Sequence, residues 1–270
     1  MAEIAVIMSV YRGDTLSDLR ESLESLYAQT RPADIFVRLD GPVDPEVATW
    51  LQGEKVAGRI RHLESSAVNQ GLAVSLNALL DEVLDRGYSY IARMDADDIA
   101  LPNRFALQYA YMESHPDLDV LGGSIEEFSE DGSYRKIVRY PREHDAMFRF
   151  FSRRVPLAHV TAFFRRSFFE RAGRYPTDAP TNEDTLMWME GFRSGCRFAN
   201  LPDVLVRVRI SPEFFARRGG GRKALSDFRD RLRVIRTLGY NFEAYLYAAA
   251  LFLVNISPGW LKKILYKRLR

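Results

Sequence analysis

The sequence predicts an α/β fold built on a mostly parallel sheet flanked by helices, and three observations predict it. Short β-branched runs alternate with segments of helical period over the first 125 residues, polar residues gather where each run ends, and no repeat or low-complexity tract interrupts the pattern. Strands are expected at Ile4–Val10, Ile35–Asp40, Ile60–Leu63, Tyr90–Asp95 and Val120–Ser124. Between them Leu16, Leu19, Leu23 and Leu26 recur at helical spacing, as do Leu72, Leu76, Leu79, Leu80 and Val83, so both stripes are expected in the core. Pro102 suits the first turn of a helix, which makes Asp95–Leu101 a strand-to-helix loop. From Glu126 to Tyr140, strand-like flanks surround the polar turn Ser129–Gly132 and read as a hairpin. Short helices and strands mix as far as about Arg209, and the chain beyond reads as helical.

Composition bounds the function. With 270 residues, 47% of them apolar, the chain can bury a large core without staples. The single cysteine, Cys196, allows no intrachain disulfide and is expected to pack as an apolar residue. A strand at Ile4–Val10 with no basic stretch or cleavage pattern before it argues against a secretion signal, so a cytoplasmic location is expected.

The formal net charge of +2 conceals segregation: from Arg207 onward there are fifteen Lys/Arg against four Asp/Glu. Such a basic end suits phosphates or anionic lipid, and no aromatic-basic ladder accompanies it to bind nucleic acid. Within it, Tyr245–Ile256 is almost wholly apolar, but twelve helical residues reach about 18 Å, short of a hydrocarbon core of roughly 30 Å. Ser257-Pro258-Gly259 and the basic amphipathic stretch Trp260–Arg270 follow. A helical hairpin lying in a membrane interface is expected, with Trp260 and Tyr266 at headgroup level and Lys262, Lys263, Lys267 and Arg268 on anionic lipid. The alternative is two helices packed on the protein's own core.

Open α/β sheets bind ligands beyond the carboxyl ends of their strands, where loop amides and helix N-termini converge. The candidate residues obey that rule: Ser9-Val10-Tyr11, Asp40-Gly41, Asn69-Gln70-Gly71 and Asp95-Ala96-Asp97-Asp98 each close a strand or open a helix. Acids as crowded as Asp95, Asp97 and Asp98 repel one another unless a cation sits among them. Hard oxygen ligands select Mg²⁺ or Mn²⁺, which keep positions open for substrate phosphates. For Asp98 the alternative is a cap on the helix begun near Pro102. His159 and Thr161 precede a strand and are candidates for contact with acceptor or donor sugar, against a core histidine. Arg217 and Arg218, beside Gly219–Gly221, suit diphosphate oxygens. His62, His115 and His144 lack metal-ligand spacing.

Taken together, Val6–Tyr11, Asn69–Ala73 with Asn77, Met94–Arg104, His159–Thr161, Asn182-Glu183-Asp184 and Phe214–Gly219 resemble the family 2 inverting glycosyltransferases of GT-A fold, in the bacterial O-antigen, capsule and exopolysaccharide (amylovoran-type) branch. The resemblance covers nearly the whole chain. It implies a catalytic domain over residues 1–210, with a nucleotide-binding half to 125 and an acceptor-side half from 126, and a basic helical appendage over 211–270. It implies that Ser9, Val10, Tyr11 and Asp40 hold the nucleoside, with Asn69, Gly71, Asn77 and Ala96 beside the nucleotide sugar. Asp95 and Asp97 then bracket the metal and the donor. Many relatives carry two acids after strand two, where this chain has Leu39-Asp40-Gly41-Pro42.

It further implies a base in the acidic pair. Asp184 is the candidate, because inversion needs a carboxylate opposite the leaving group to take the acceptor's proton, and Glu183 would orient it. Leu186 and Met189 are expected to face inward from a helix that this pair opens, and the acids could instead merely favour that helix's dipole. The expected partners are a nucleotide diphospho-sugar, a UDP-sugar by preference, a polyprenyl-diphosphate-linked saccharide, and the inner face of a bacterial cytoplasmic membrane. A sugar-phosphate nucleotidyltransferase would need a glycine-rich basic loop after strand one, where Ser9–Gly13 has a single glycine. A lapsed membrane-bound scaffold would not be expected to keep its acids.

Overall fold

The computed structural model describes residues 3–179, 181–210 and 221–257. Its frame is a nine-stranded mixed sheet. β1 (Ile4–Val10) lies between β2 (Asp34–Leu39) and β4 (Tyr90–Arg93), and β3 (His62–Ser65) lies outside β2; all four run parallel. Helices α1 (Leu16–Tyr27), α2 (Pro45–Val56) and α3 (Leu72–Asp85) connect them, so the carboxyl ends of the four strands meet on one edge.

The sheet continues from β4 through β8 (Phe163–Arg165), antiparallel to it, to β6 (Val120–Phe128) and then β9 (Phe198–Arg209), which runs parallel to β6. β7 (Arg135–Val138) returns beside β6 as the expected hairpin, with Ile125 opposite Val138. The line drawn between residues 125 and 126 falls inside β6, so the two halves share one sheet.

Alternation along β1 divides the core. Ile4, Val6, Met8 and Val10 join Leu19 and Leu23 of α1, Val47 and Leu51 of α2, and Phe105 and Met112 of α4 (Arg104–Ser114). Ala5 and Ile7 join Leu76, Leu79 and Leu80 of α3 on the opposite face. There they meet α5 (His144–Phe151), α6 (Arg166–Ala172) and α7 (Glu183–Arg193) through Phe151, Phe168, Leu186 and Trp188. Both leucine stripes are therefore core, Met189 points inward, and Cys196 is buried among apolar neighbours.

Several boundaries differ from expectation: β2 is shifted back by one residue, and β6 runs on to Phe128. β3 begins at His62, two residues late, because Ile60 is already buried and the Arg61 N–H bonds to the Ile35 carbonyl (2.8 Å) before the ladder starts. β4 stops at Arg93, and the stretch read as pure loop holds a short strand, β5 (Ile99–Ala100), antiparallel to β9. Pro102 lies just ahead of the Asn103 N-cap, and its carbonyl accepts the Thr30 N–H (2.9 Å).

At the C-terminal side α8 (Gly221–Leu238) and α9 (Phe242–Ile256) pack on each other, and α8 packs on α7. Val234 enters the second core layer, Arg231 donates to the Phe151 carbonyl (2.7 Å), and the Tyr240 hydroxyl donates to that of Phe148 (2.5 Å). Trp260–Arg270, expected as a second amphipathic helix, lies outside the described residues. Among the described residues no helix is long and apolar enough to cross a membrane.

Glycine is needed where β6 passes Asn200 and Leu157. A Cβ on Gly122 would fall on Asn200 Oδ1 and 2.5 Å from Leu157 Cγ. Asn200 cannot yield, since its amide nitrogen is bonded to the carbonyls of Pro141 (2.7 Å) and Pro156 (3.0 Å). Gly122→Ala is expected to cost about 1–3 kcal/mol through overpacking. The check is the urea midpoint, and a midpoint equal to that of the parent would mean the neighbours give way.

Candidate active site

Backbone alternation builds the acid turn. Met94, Ala96 and Asp98 point into the protein, while Asp95 and Asp97 emerge together beyond the end of β4. One carboxylate oxygen from each of Asp95, Asp97 and Asp98 lies within 4.8 Å of the others. Asp98 is the inner member: it is 3% exposed and its Oδ1 accepts the Arg209 N–H (2.9 Å). It does not cap α4, whose N-cap is Asn103. Asp95 and Asp97 are the partly exposed members, a hard and anionic pair whose chemistry fits a divalent cation such as Mg²⁺ or Mn²⁺, with both Asp95 carboxylate oxygens also paired to Arg93.

The turn is anchored from below. Ser22 Oγ donates to the Asp95 carbonyl (2.9 Å), tying it to α1. The buried Arg93 forms an ion pair with the Asp95 carboxylate. Behind it Arg104, also buried, donates to the Arg93 carbonyl (2.8 Å), and burial next to Arg93 lowers its guanidinium to about 9. Burial, followed by the neighbouring Asp95 charge, pushes Asp97 up to about 6, and burial with Asp95 and Asp97 raises Asp98 as well.

The other rim residues divide into exposed and committed ones. Ser9, Tyr11 and Gly71 are partly exposed, Asn69 is exposed, and Val10 and Ala96 are buried. Asp40, expected on the nucleoside, is 3% exposed, and its carboxylate accepts the N–H groups of Gln70 (2.7 Å) and Gly71 (3.0 Å). Its role is to lock the loop before α3. Gly41 lets that happen, because at its φ of 82° a Cβ would lie 2.6 Å from the Asn69 nitrogen. Asn77 likewise turns from the expected nucleotide-sugar contact to the backbone of Tyr175, donating to its carbonyl (2.8 Å) and accepting its N–H (2.9 Å).

Tyr175 links the acid turn to the second acidic pair. Its hydroxyl shares a hydrogen bond with His159 Nε2 (2.9 Å). Burial, and then the charges of Glu183, Asp184 and Asp95, hold its pKa above the ordinary phenol range. Glu183 and Asp184 open α7, as expected. Burial and then Asp184 push Glu183 up to about 7, and the Asp95 charge adds a smaller rise. Asp184 Oδ1 accepts the Thr185 N–H (2.6 Å) and hydroxyl (3.2 Å).

His159 packs against Tyr175 and Trp188, and burial with the Arg93 charge lowers its pKa well below the usual value, so its ring is neutral. Thr161 departs from the expected sugar contact. It is fully buried, accepting the Gly123 N–H (3.2 Å) and donating to the Ala158 carbonyl (2.8 Å). Arg217 and Arg218 lie outside the described residues.

Arg93, Tyr175 and Arg209 were absent from the sequence-derived list. Arg93 had a signal: an arginine inside the apolar run Tyr90–Met94 must find a buried anion. Tyr175 and Arg209 had none, because their partners lie far along the chain.

Comparison with known proteins agrees with this geometry. The model of "Glycosyl transferase family 2" matches residues 5–173, and that of "Glycosyl transferase family group 2" matches residues 90–264. The amylovoran biosynthesis glycosyltransferase AmsE of Erwinia amylovora is 35% identical over 222 residues, covering 80% of this chain and 79% of its own. An Escherichia coli UDP-Gal:alpha-D-GlcNAc-diphosphoundecaprenol beta-1,3-galactosyltransferase is 25% identical over 268 residues, 98% of this chain and 96% of the relative. Among solved structures, the mannosyltransferase PcManGT of Pyrobaculum calidifontis, in complex with GDP-Man and Mn²⁺, superposes with a TM-score of 0.64 at 18% identity. That alignment covers 98% of this chain and 79% of the neighbour, and it shows the shared GT-A fold. With its acid turn, its second acidic pair and a family match over more than half its length, the chain belongs to glycosyl transferase family 2.

Proposed function

We propose that this glycosyltransferase moves a sugar, with inversion, from a UDP-sugar to a saccharide carried on polyprenyl diphosphate, at the inner face of a bacterial cytoplasmic membrane. Two observations carry the catalytic part: the carboxylates of Asp95, Asp97 and Asp98 cluster beyond the end of β4, and the charge of Asp95 acts on Glu183 at the start of α7. The E. coli relative, named for a UDP-Gal donor and a diphosphoundecaprenol-linked acceptor and matched nearly end to end, supports the choice of substrates. Ser9, Tyr11, Asn69 and Gly71 offer the open rim for the nucleoside, while Asp40 and Asn77 brace it from beneath.

Asp95 and Asp97 would hold a Mg²⁺ or Mn²⁺ ion, which when bound supplies positive charge to the diphosphate leaving group. The chain's own residues do the rest. A carboxylate at the start of α7 takes the proton of the acceptor hydroxyl as its oxygen bonds to the anomeric carbon, and the bond from that carbon to the diphosphate oxygen breaks. The nucleoside diphosphate leaves with that bond's electron pair. Fixing both substrates on one rim supplies proximity. Asp184 is assigned as base. Glu183 is the second candidate, favoured by its elevation to about 7, which suits proton transfer near neutrality. Asp184→Asn is expected to lose about 10²- to 10⁴-fold in turnover with donor affinity retained. If Glu183→Gln shows that loss and Asp184→Asn does not, the base is Glu183.

The proton on Glu183 also has a stability consequence. Its pKa is higher folded than unfolded, so between about pH 4.5 and 7 the folded state binds more protons and stability falls as pH rises. Chemical denaturation in chelator should show a loss on the order of 1–3 kcal/mol across that window. Glu183→Gln should flatten that part of the curve; equal slopes in parent and variant would remove burial of this carboxyl as the cause.

The membrane part rests on α9. Its inner face, Ala244 and Ala248, packs on α8. Phe242 (72% exposed), Leu246 (56%), Leu253 (60%) and Ile256 (49%) follow at offsets of four, seven and three residues and share the opposite face. An apolar stripe followed in the chain by five Lys/Arg from Lys262 to Arg270 suits an anionic interface. Leu246→Asp with Leu253→Asp should reduce sedimentation with anionic phospholipid vesicles by about tenfold or more while the melting temperature stays near that of the parent. Undiminished sedimentation would remove α9 from the contact.

A further inference from the structure

Arg209, the last residue of β9, joins more of the site than any substrate-facing residue discussed above. Its guanidinium is 8% exposed, yet it reaches three separate elements. Nε donates to the Asp97 carbonyl (3.0 Å) and lies 3.2 Å from Asp18 Oδ1 of α1. Nη2 donates to Glu21 of the same helix (2.8 Å), and Nη1 pairs with Glu130 in the turn between β6 and β7. The backbone N–H takes the Asp98 carboxylate (2.9 Å), and the guanidinium carbon lies 5.3 Å from the centre of the Phe128 ring. A planar cation with a fixed fork of donors can hold such a set of directions at once, which an ammonium cannot.

Asp97 and Asp98 are thus gripped twice by one residue, at a backbone carbonyl and at an inner carboxylate. Both bonds fix the path of the turn between them, and that path decides where the Asp97 carboxylate points. Neither bond uses the outward oxygens. Arg209 therefore stands to the acid pair as an outer-shell partner stands to a metal ligand, orienting it without touching the ion.

We propose that Arg209 is the positioning residue of the acid turn, holding the Asp97 carboxylate opposite that of Asp95 so that a divalent cation binds. The proposal rests on the reading of Asp95 and Asp97 as the cation's ligands. Charge alone points the other way, since removing a cation near a metal site should favour metal binding. Yet the acids that share Arg209 are partly to largely exposed, at 26% for Asp18, 55% for Glu21 and 65% for Glu130, and water screens them. Ligand placement then decides the outcome.

The experiment is Mn²⁺ titration of the full chain without donor, read from the free-ion electron paramagnetic resonance signal, alongside a thermal melt. Arg209→Met should weaken Mn²⁺ binding by about 10- to 100-fold, the usual cost of losing an outer-shell partner. A role confined to holding the fold would lower the melting temperature and leave the affinity of the folded protein in place. Mn²⁺ affinity within twofold of the parent overturns the proposal, whatever the melting temperature. Should Arg209→Met not fold, Arg209→Lys decides: it keeps the charge but lacks the fork, so weakened Mn²⁺ binding supports the proposal and parental affinity overturns it. A parent that binds neither Mn²⁺ nor Mg²⁺ sinks the ligand assignment itself and the proposal with it, whereas a parent that binds and variants that match it sink the role of Arg209 alone.

Discussion

Like charges held close together on the edge of a sheet are the constraint around which this protein is arranged. Two carboxylates about 5 Å apart repel by roughly 3 kcal/mol at an effective dielectric constant of 20, and here Asp95, Asp97 and Asp98 lie within that range of one another. The fold answers with cations placed below and behind the acids, not in front of them. Arg93 holds Asp95 from the end of β4, Arg104 sits behind Arg93, and Arg209 closes from the end of β9. Arg93 takes Asp95 through both of its carboxylate oxygens, whereas the Arg209 guanidinium takes Asp97 at its backbone carbonyl and leaves the Asp97 carboxylate untouched.

The same constraint explains why the sheet is mixed. Four parallel strands deliver the rim, and the resulting edge beyond β4 is then continued by β8, β6 and β9. β9 carries Arg209 to the acid turn, and β5, two residues long, pairs the chain just after Asp98 with β9. The turn is thereby held at both ends by hydrogen bonds. Tyr175, pinned by Asn77 of α3, feels the charges of both Asp95 and the acids of α7.

What the sequence disclosed and what it withheld follow from the range of the forces involved. Leu19, Leu23, Leu76 and Leu80 reveal their helices because burial of a stripe is a local, periodic demand, and the parallel strands follow from runs such as Ile4–Val10. The acid turn was legible for a similar reason: three aspartates in four positions require compensation wherever they lie. Asp40 is a candidate from its strand end, Thr161 from its place before a strand and Asn77 from the family resemblance. Each also satisfies a backbone group of a segment remote in sequence, a pairing that no local pattern encodes. Tyr175 and Arg209 stayed invisible on the same account. Their partners lie 16 residues away at His159 and 112 residues away at Asp97.

The described C-terminal helices pack on the core, and α9 has two unlike faces, one seated on α8 and one carrying an exposed apolar stripe. Ala244 and Ala248 allow α9 to lie close on α8, which is anchored in turn through Val234, Arg231 and the neighbouring Tyr240. That contact leaves Phe242, Leu246, Leu253 and Ile256 exposed as one apolar stripe, the kind of patch that marks an interaction surface. Asn182, which precedes the acidic pair, donates to Asp227 and Asp230 of α8 at 3.0 and 2.7 Å. α9 is therefore two packed contacts from the carboxylates of α7, so under the function proposed above a membrane that seats α9 would act on the acid pair through α8 and Asn182.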